Sequence, residues 1–266
     1  VRERFLTDQD TFSQWQAMNL SSEGSSLFIA AVDQQTPSKG TVLSMGLAGE
    51  DWTDLGNSLL TRFTFGATGY TMKKTIRGLA VAQNGKVLIS DQTEGVYFLD
   101  PDTKKMTAHA LALSNATDVA ALGDRYFIVA NNGIQVTQAP FAQATAFGSL
   151  ADVKALAQHP DGLLYALTSD GIFRLSDQGA STRVLAAASA STVGWESIKD
   201  FAVDPEGNFF VLSDLGVFWL DAKGVLKGEL ASGDLIAPRA LLWVNGSLYI
   251  ADAGNSYKDS AILQLQ

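Results

Sequence analysis

The chain has 266 residues, 46% hydrophobic and 18% charged, with a formal net charge of −9. That composition supports a packed core rather than wholesale disorder. The acidity excludes non-specific nucleic-acid binding, which needs a positive field. The absence of Cys excludes disulfides, thiolate metal sites and Cys nucleophiles, and no run reaches the roughly 18 apolar residues of a helical membrane span.

Read from the start, "RERFLT" (2–7) is strand-like and belongs to none of the units after it. "WQAMNLSSEGSSLFIAAVD" (15–33) then opens a unit whose later strands are expected at "GTVLSMGL" (40–47) and "LLTRFTF" (59–65). The next unit, "IRGLAVAQNGKVLISDQTEGVYFLD" (76–100), states the pattern clearly. An apolar strand leads to a turn at Asn84-Gly85, a second strand follows, and a polar corner ends at Gly95, which opens a third. "MTAHALAL" (106–113) supplies a fourth strand. A weaker copy at 117–139 keeps its corner as Asn131-Asn132-Gly133. "VKALAQHPDGLLYALTSDGIFRLSD" (153–177) repeats the phrase with Asp161-Gly162 and Gly171, and "STRVLAA" (181–187) ends it. "IKDFAVDPEGNFFVLSDLGVFWLD" (198–221) repeats it again with Glu206-Gly207 and Gly216, followed by "VLKGEL" (225–230). The last copy, 238–266, has Asn245-Gly246 and only three strands.

Six units of about 44 residues, each with four short strands, match the period of propeller blades. The expected fold is all-β: one domain over 1–266, a six-bladed β-propeller of four-stranded antiparallel blades at approximately 12–65, 74–113, 115–148, 151–187, 196–231 and 236–266 plus 2–7. "RERFLT" is expected to pair with "AILQLQ" (261–266) as the outer strand of the last blade, because an unclosed sheet edge leaves backbone groups unpaired.

These repeats resemble the six-bladed propellers of the NHL, YWTD and TolB-like superfamily, most visibly in "LYIADAGN" (248–255) and in "DGIFRLS" and "EGVYFLD". The resemblance implies the architecture. It does not imply one activity, since this fold carries lactonases, peptidyl lyases, receptors and scaffolds. Within it, the senescence-marker and gluconolactonase group holds a divalent metal with Glu, Asn and Asp, and its first blade opens on Glu-Gly-Pro. The matching place here reads "WQAMNL" (15–20), with neither acid nor Pro.

In such a propeller the first strand of each blade lines a central channel. Gln16, Arg77, Asp118, Lys154, Lys199, Asp200 and Arg239 stand at the starts of those strands. Asp33, Asp91, Asn131, Asn132, Asp170, Asp214 and Asp252 stand in the corners between second and third strands. The expected ligand-binding residues at the channel mouth are Arg77, Asp118, Lys154, Lys199, Asp200 and Arg239, with Trp195 and Tyr70 on longer loops over it. Arginine forks suit a carboxylate or phosphate. The same charges can instead pair among themselves, and corner Asp and Asn residues also close turns.

The expectation for function is a binding propeller that presents this face to a protein, peptide or small anionic ligand. The alternative is a lactonase-like hydrolase or lyase with an oxygen-ligated divalent ion on Asp118, Asp200 and Asp252. No cofactor is otherwise expected; calcium at "DAGNSYKDS" (252–260) is the one candidate. His109, in an outer strand, and His159, in a turn at the far face, are expected to lie too far apart for a shared site. A periplasmic or extracellular location is expected from the missing Cys and a first residue other than Met, with the cytoplasm as alternative.

Overall fold

The computed structural model describes residues 2–7, 15–23, 26–33, 40–46, 52–54, 64–65, 68–69, 76–82, 85–92, 95–100, 105–108, 113–138, 143–159, 161–187, 193–230, 235–255 and 261–265. In chain order, strand β1 spans Arg2–Thr7. The first sheet follows as β2 (Trp15–Glu23), β3 (Ser26–Asp33), β4 (Gly40–Gly46) and β5 (Trp52–Asp54). A small hairpin, β6 (Thr64–Phe65) and β7 (Thr68–Gly69), separates it from the second sheet. That sheet is β8 (Ile76–Val81), β9 (Val87–Asp91), β10 (Gly95–Asp100) and β11 (Lys105–Ala108). The third holds β12 (Asp118–Leu122), β13 (Arg125–Ala130), β14 (Gly133–Gln138) and β15 (Thr145–Ala146). The fourth holds β16 (Val153–Gln158), β17 (Leu164–Thr168), β18 (Gly171–Leu175) and β19 (Ser181–Ala186). The fifth holds β20 (Asp200–Val203), β21 (Phe209–Ser213), β22 (Gly216–Leu220) and β23 (Leu226–Glu229). The sixth holds β24 (Pro238–Val244), β25 (Ser247–Asp252) and β26 (Ala261–Leu265).

All six four-stranded sheets are antiparallel meanders, and β1 completes the sixth by pairing with β26. Arg2 lies opposite Leu265 and Thr7 opposite Ala261. The first strands touch in cyclic order, β2 against β8, β8 against β12, and so on to β24, which returns to β2. The result is an all-β propeller arrangement around an axis lined by first strands. One sequence expectation is corrected: the fourth strand of the first sheet is β5, at 52–54, and the "LLTRFTF" stretch contributes to the β6–β7 hairpin instead. Leu43 to Met45 already pair with Asp54 to Trp52, so the sheet edge is filled before that stretch arrives.

Burial follows the radius. The second strands β9, β17, β21 and β25 are buried at every position. Their near-continuous apolar sequences suit a strand covered on both faces by neighbouring sheets. The outer strands β19 and β23 are mostly exposed and carry Arg183, Lys227 and Glu229. Apolar clusters fill the wedges between sheets. One joins the fourth and fifth sheets through Leu167, Ile172, Phe201 and Val211; another joins the fifth and sixth through Leu212, Val217, Leu248 and Ile250. Truncating a fully buried member such as Leu167 costs about 2–5 kcal/mol. The corner glycines have a backbone reason. Gly171 sits at φ 134°, and a Cβ there would strike the Leu185 carbonyl of β19.

Candidate functional site

The first strands begin at one end of the channel and run toward the hairpins at the other. A cavity of about 200 Å³ occupies the hairpin side, and residues of all six first strands line it. Ser21, Val81, Gln158 and Trp243 stand near the hairpins; Asp118 and Asp200 stand at the opposite limit and form a neck.

Sheet register explains why two carboxyls meet there. The hairpins close at Glu23–Ser26, Ala82–Lys86, Leu122–Arg125, His159–Leu163, Asp204–Asn208 and Val244–Ser247. Four residues before each closing pair, at one level of the channel, stand Asn19, Gly78, Asp118, Ala155, Asp200 and Ala240. Oxygen-bearing residues therefore alternate with the smallest ones. Gly78 is confined: a Cβ would lie 2.7 Å from Asp118 Cα and 2.8 Å from Val119 N. Each acid also reaches forward to the next sheet. Leu156 N donates to Asp118 Oδ2 at 2.7 Å, and Leu241 N donates to Asp200 Oδ2 at 2.7 Å. Phe201 N donates to Asp200 Oδ1 at 2.8 Å. Nearer the hairpins, Val81 N donates to Ser21 Oγ at 2.9 Å, so the first sheet is tied to the second in the same sense.

The electrostatics follow from this crowding. Asp118 is 8% exposed, and burial raises its carboxyl to about 7, against the opposing pull of the Leu156 and Val119 amides. Asp200 is raised well above the ordinary carboxylate range, first by burial and then by the charge of Asp118. A buried carboxyl and a half-buried one whose charges interact cannot both ionise cheaply, so their titrations are linked. At neutral pH this pair retains a proton that an exposed aspartate would have lost.

The other expected site residues fall elsewhere. Arg77, Lys154 and Arg239 each occupy the register shift of a first strand, one residue ahead of Gly78, Ala155 and Ala240. They stand at the end of the channel beyond the neck, not in the lining of the cavity. Arg77 Nε donates to Gln92 Oε1 at 3.1 Å. Lys199 is tied down: its Nζ lies 2.6 Å from Asp214 Oδ1 and donates to Pro238 O at 3.3 Å. Trp195 is 6% exposed inside the wedge between the fourth and fifth sheets, so a contact role over the mouth is corrected to a core role. Its loop turns inward through a left-handed Gly194. Tyr70, His109, and the side chains of Gln16 and Asp33 lie outside the described residues.

Asp252 does not join the neck. Its oxygens accept from Ile236 N, Ala237 N and Gly254 N at 2.8, 2.8 and 3.0 Å, which fixes the connection into β24. The three-acid metal set of Asp118, Asp200 and Asp252 is therefore not assembled, and the described residues hold no group of three or more His, Cys, Asp or Glu placed to bind a metal. Residues 256–260 of the calcium candidate lie outside the described residues. His159 packs at the hairpin end, its Nδ1 2.7 Å from Asp161 Oδ1. Asn131 and Asn132 adopt φ of 53° and 64°, a turn role. Sequence reading missed the cavity residues Ser21 and Gln158. The one available signal was the position of each, counted back from its hairpin. Trp243, expected only as a packing residue, stacks on Phe210 at 5.0 Å and also lines the cavity.

No protein-family model matches the chain, and no curated protein matches it. Solved structures do. A gluconolactonase from Xanthomonas campestris superposes with a TM-score of 0.66 at 14% identity, over 99% of this chain and 88% of that one. The calcium-binding protein regucalcin from Agrobacterium tumefaciens gives 0.62 at 12%, over 94% and 89%. Virginiamycin B lyase from Staphylococcus aureus gives 0.60 at 8%, over 95% and 81%. At these identities the likeness is one of fold. The expectation of a binding propeller is corrected on this finding: the neighbours named include a gluconolactonase and a lyase, which favour the enzymatic alternative over it.

Proposed function

We propose that this protein is a small-molecule hydrolase or lyase of the lactonase type, a six-bladed propeller whose chemistry takes place at the Asp118–Asp200 neck. The observation that carries the reading is the placement of two carboxyls, Asp118 and Asp200, at the limit of an axial cavity, both raised above the ordinary carboxylate range. The named neighbours support it as analogy of fold.

A protonated and an ionised carboxyl at one site can act as acid and base together near neutral pH. In ester or lactone hydrolysis, the ionised member takes a proton from water as its oxygen bonds to the acyl carbon. The protonated member gives its proton to the departing oxygen as the acyl C–O bond breaks. The pair ends as it began, with one proton, and water has been added across that bond. The Leu156, Phe201 and Leu241 amides hold the carboxyls in place during the exchange. Because Asp252 is committed elsewhere, no step is assigned to a metal.

The test is turnover of a panel of γ- and δ-lactones and small aryl esters, comparing the native chain with Asp118→Asn and Asp200→Asn. Loss of at least about 100-fold in kcat with an unchanged circular dichroism spectrum supports the assignment. Undiminished turnover in both variants overturns it.

A further inference from the structure

Four first strands carry a register shift, and the extra residue is Met18, Arg77, Lys154 or Arg239. The three cations fall in the second, fourth and sixth sheets, between the sheets that supply Asn19, Asp118 and Asp200 at the next level. In the third and fifth sheets the residue at that place precedes the first strand: Thr117 N donates to Val129 O and Lys199 N to Leu212 O, the residues opposite Asp118 and Asp200. A bulge re-aims a side chain and is common beside active sites. Here it lifts one cation out of each alternate strand, directly before the small residue that flanks a neck carboxyl. The fourth candidate cation, Lys199, stands just ahead of β20 and is held by Asp214 and the Pro238 carbonyl.

Arg77 and Arg239 are exposed and Lys154 partly so, on a chain whose net charge is −9. Their own surroundings are mixed: Gln92 accepts from Arg77, and Lys154 acts on Asp152 by charge. The cavity beyond the neck is small, about 200 Å³. A substrate with its reacting carbonyl at the neck can place only a short group inside and must leave its other end among the three cations. We infer that the substrate is an ester or lactone carrying an anionic group, a carboxylate or a phosphate, and that Arg77, Lys154 and Arg239 bind that group. This rests on the catalytic reading above. It adds the charge of the substrate and the direction in which it lies.

The probes are a matched pair of esters, mono-4-nitrophenyl succinate and its methyl-capped neutral counterpart. The native chain should favour the anionic ester in kcat/KM. In Arg77→Ala/Arg239→Ala that preference should fall by at least about tenfold, and rising salt should erode it in the native chain. Equal kcat/KM for the two esters, or a preference the double variant keeps, overturns the anionic substrate while leaving the catalytic reading intact. Where neither ester turns over, the catalytic reading is decided on the lactone panel. The cation rim is then judged by calorimetric binding of succinate and inorganic phosphate: binding that Arg77→Ala, Lys154→Ala and Arg239→Ala each weaken supports it, and no binding at millimolar anion overturns it.

Discussion

Two sets of aspartates in this ring show how differently the same side chain can be used. At the corner of the sixth sheet, Asp252 is 3% exposed and accepts from three backbone amides. At the neck, Asp118 and Asp200 have fewer donors, and Asp200 also feels the charge of Asp118. A carboxylate surrounded by N–H groups is a structural bracket, because folding satisfies both the acid and the amides. A carboxyl beside another carboxyl is left with an unsettled proton. Burial acts on all three acids; the supply of amide donors is what separates the two roles.

The largest break in this comparison should come from activity. Asp118→Asn and Asp200→Asn should each lower kcat by about 10² to 10⁴, while Asp252→Asn should leave kcat within about threefold if the protein is folded. Stability should reverse the order. Asp252→Ala leaves three amides without their acceptor, one of them in a buried bond, and should cost about 1–3 kcal/mol in urea unfolding, whereas Asp118→Asn keeps the side chain's shape and should be near neutral.

Gly78→Ala forces a methyl against Asp118 Cα and should cost about 1–3 kcal/mol, with a parallel fall in turnover as the neck shifts. Equal stability with full activity would show that the neck tolerates displacement.

The pH dependence of stability sharpens the contrast further. Asp118 holds its proton in the folded state up to about pH 7 but in the unfolded chain only to its ordinary value of 3.8. Between these values the folded state binds more protons, so its stability falls as pH rises from about 4 to about 7 and is constant above. The slope should reach at most about 1.4 kcal/mol per pH unit for this group, and it should flatten in Asp118→Asn. The smallest effect is expected from Lys199→Ala, which breaks an exposed ion pair with Asp214 and should change stability by less than about 1 kcal/mol.

The sheets were legible in the sequence because each is local. Gly85, Gly162 and Gly207 mark hairpins, Gly95, Gly171 and Gly216 mark corners, and the unassigned "RERFLT" matched the missing outer strand. The first sheet was read less well. Its fourth strand, Trp52–Asp54, is three residues long, too short for an alternating pattern to register. The site was legible only in part. Asp118 and Asp200 stood out as acids at strand starts, but their meeting depends on the register of separate sheets about one axis, which no local pattern encodes. Trp195 misled for a related reason: a loop's length does not say whether it folds outward or, as here, into a wedge. Asp252 looked equivalent to the neck acids until its three amide donors were placed.

The forward-reaching bonds of Ser21, Asp118 and Asp200 cross only every second seam of the ring. They tie the first sheet to the second, the third to the fourth and the fifth to the sixth, adding a polar lock at the axis to the apolar wedges already there. Opening of these three seams should be the slower for it. Amide exchange along β8, β16 and β24 should report this, with the Val81, Leu156 and Leu241 protons among the slowest of their strands.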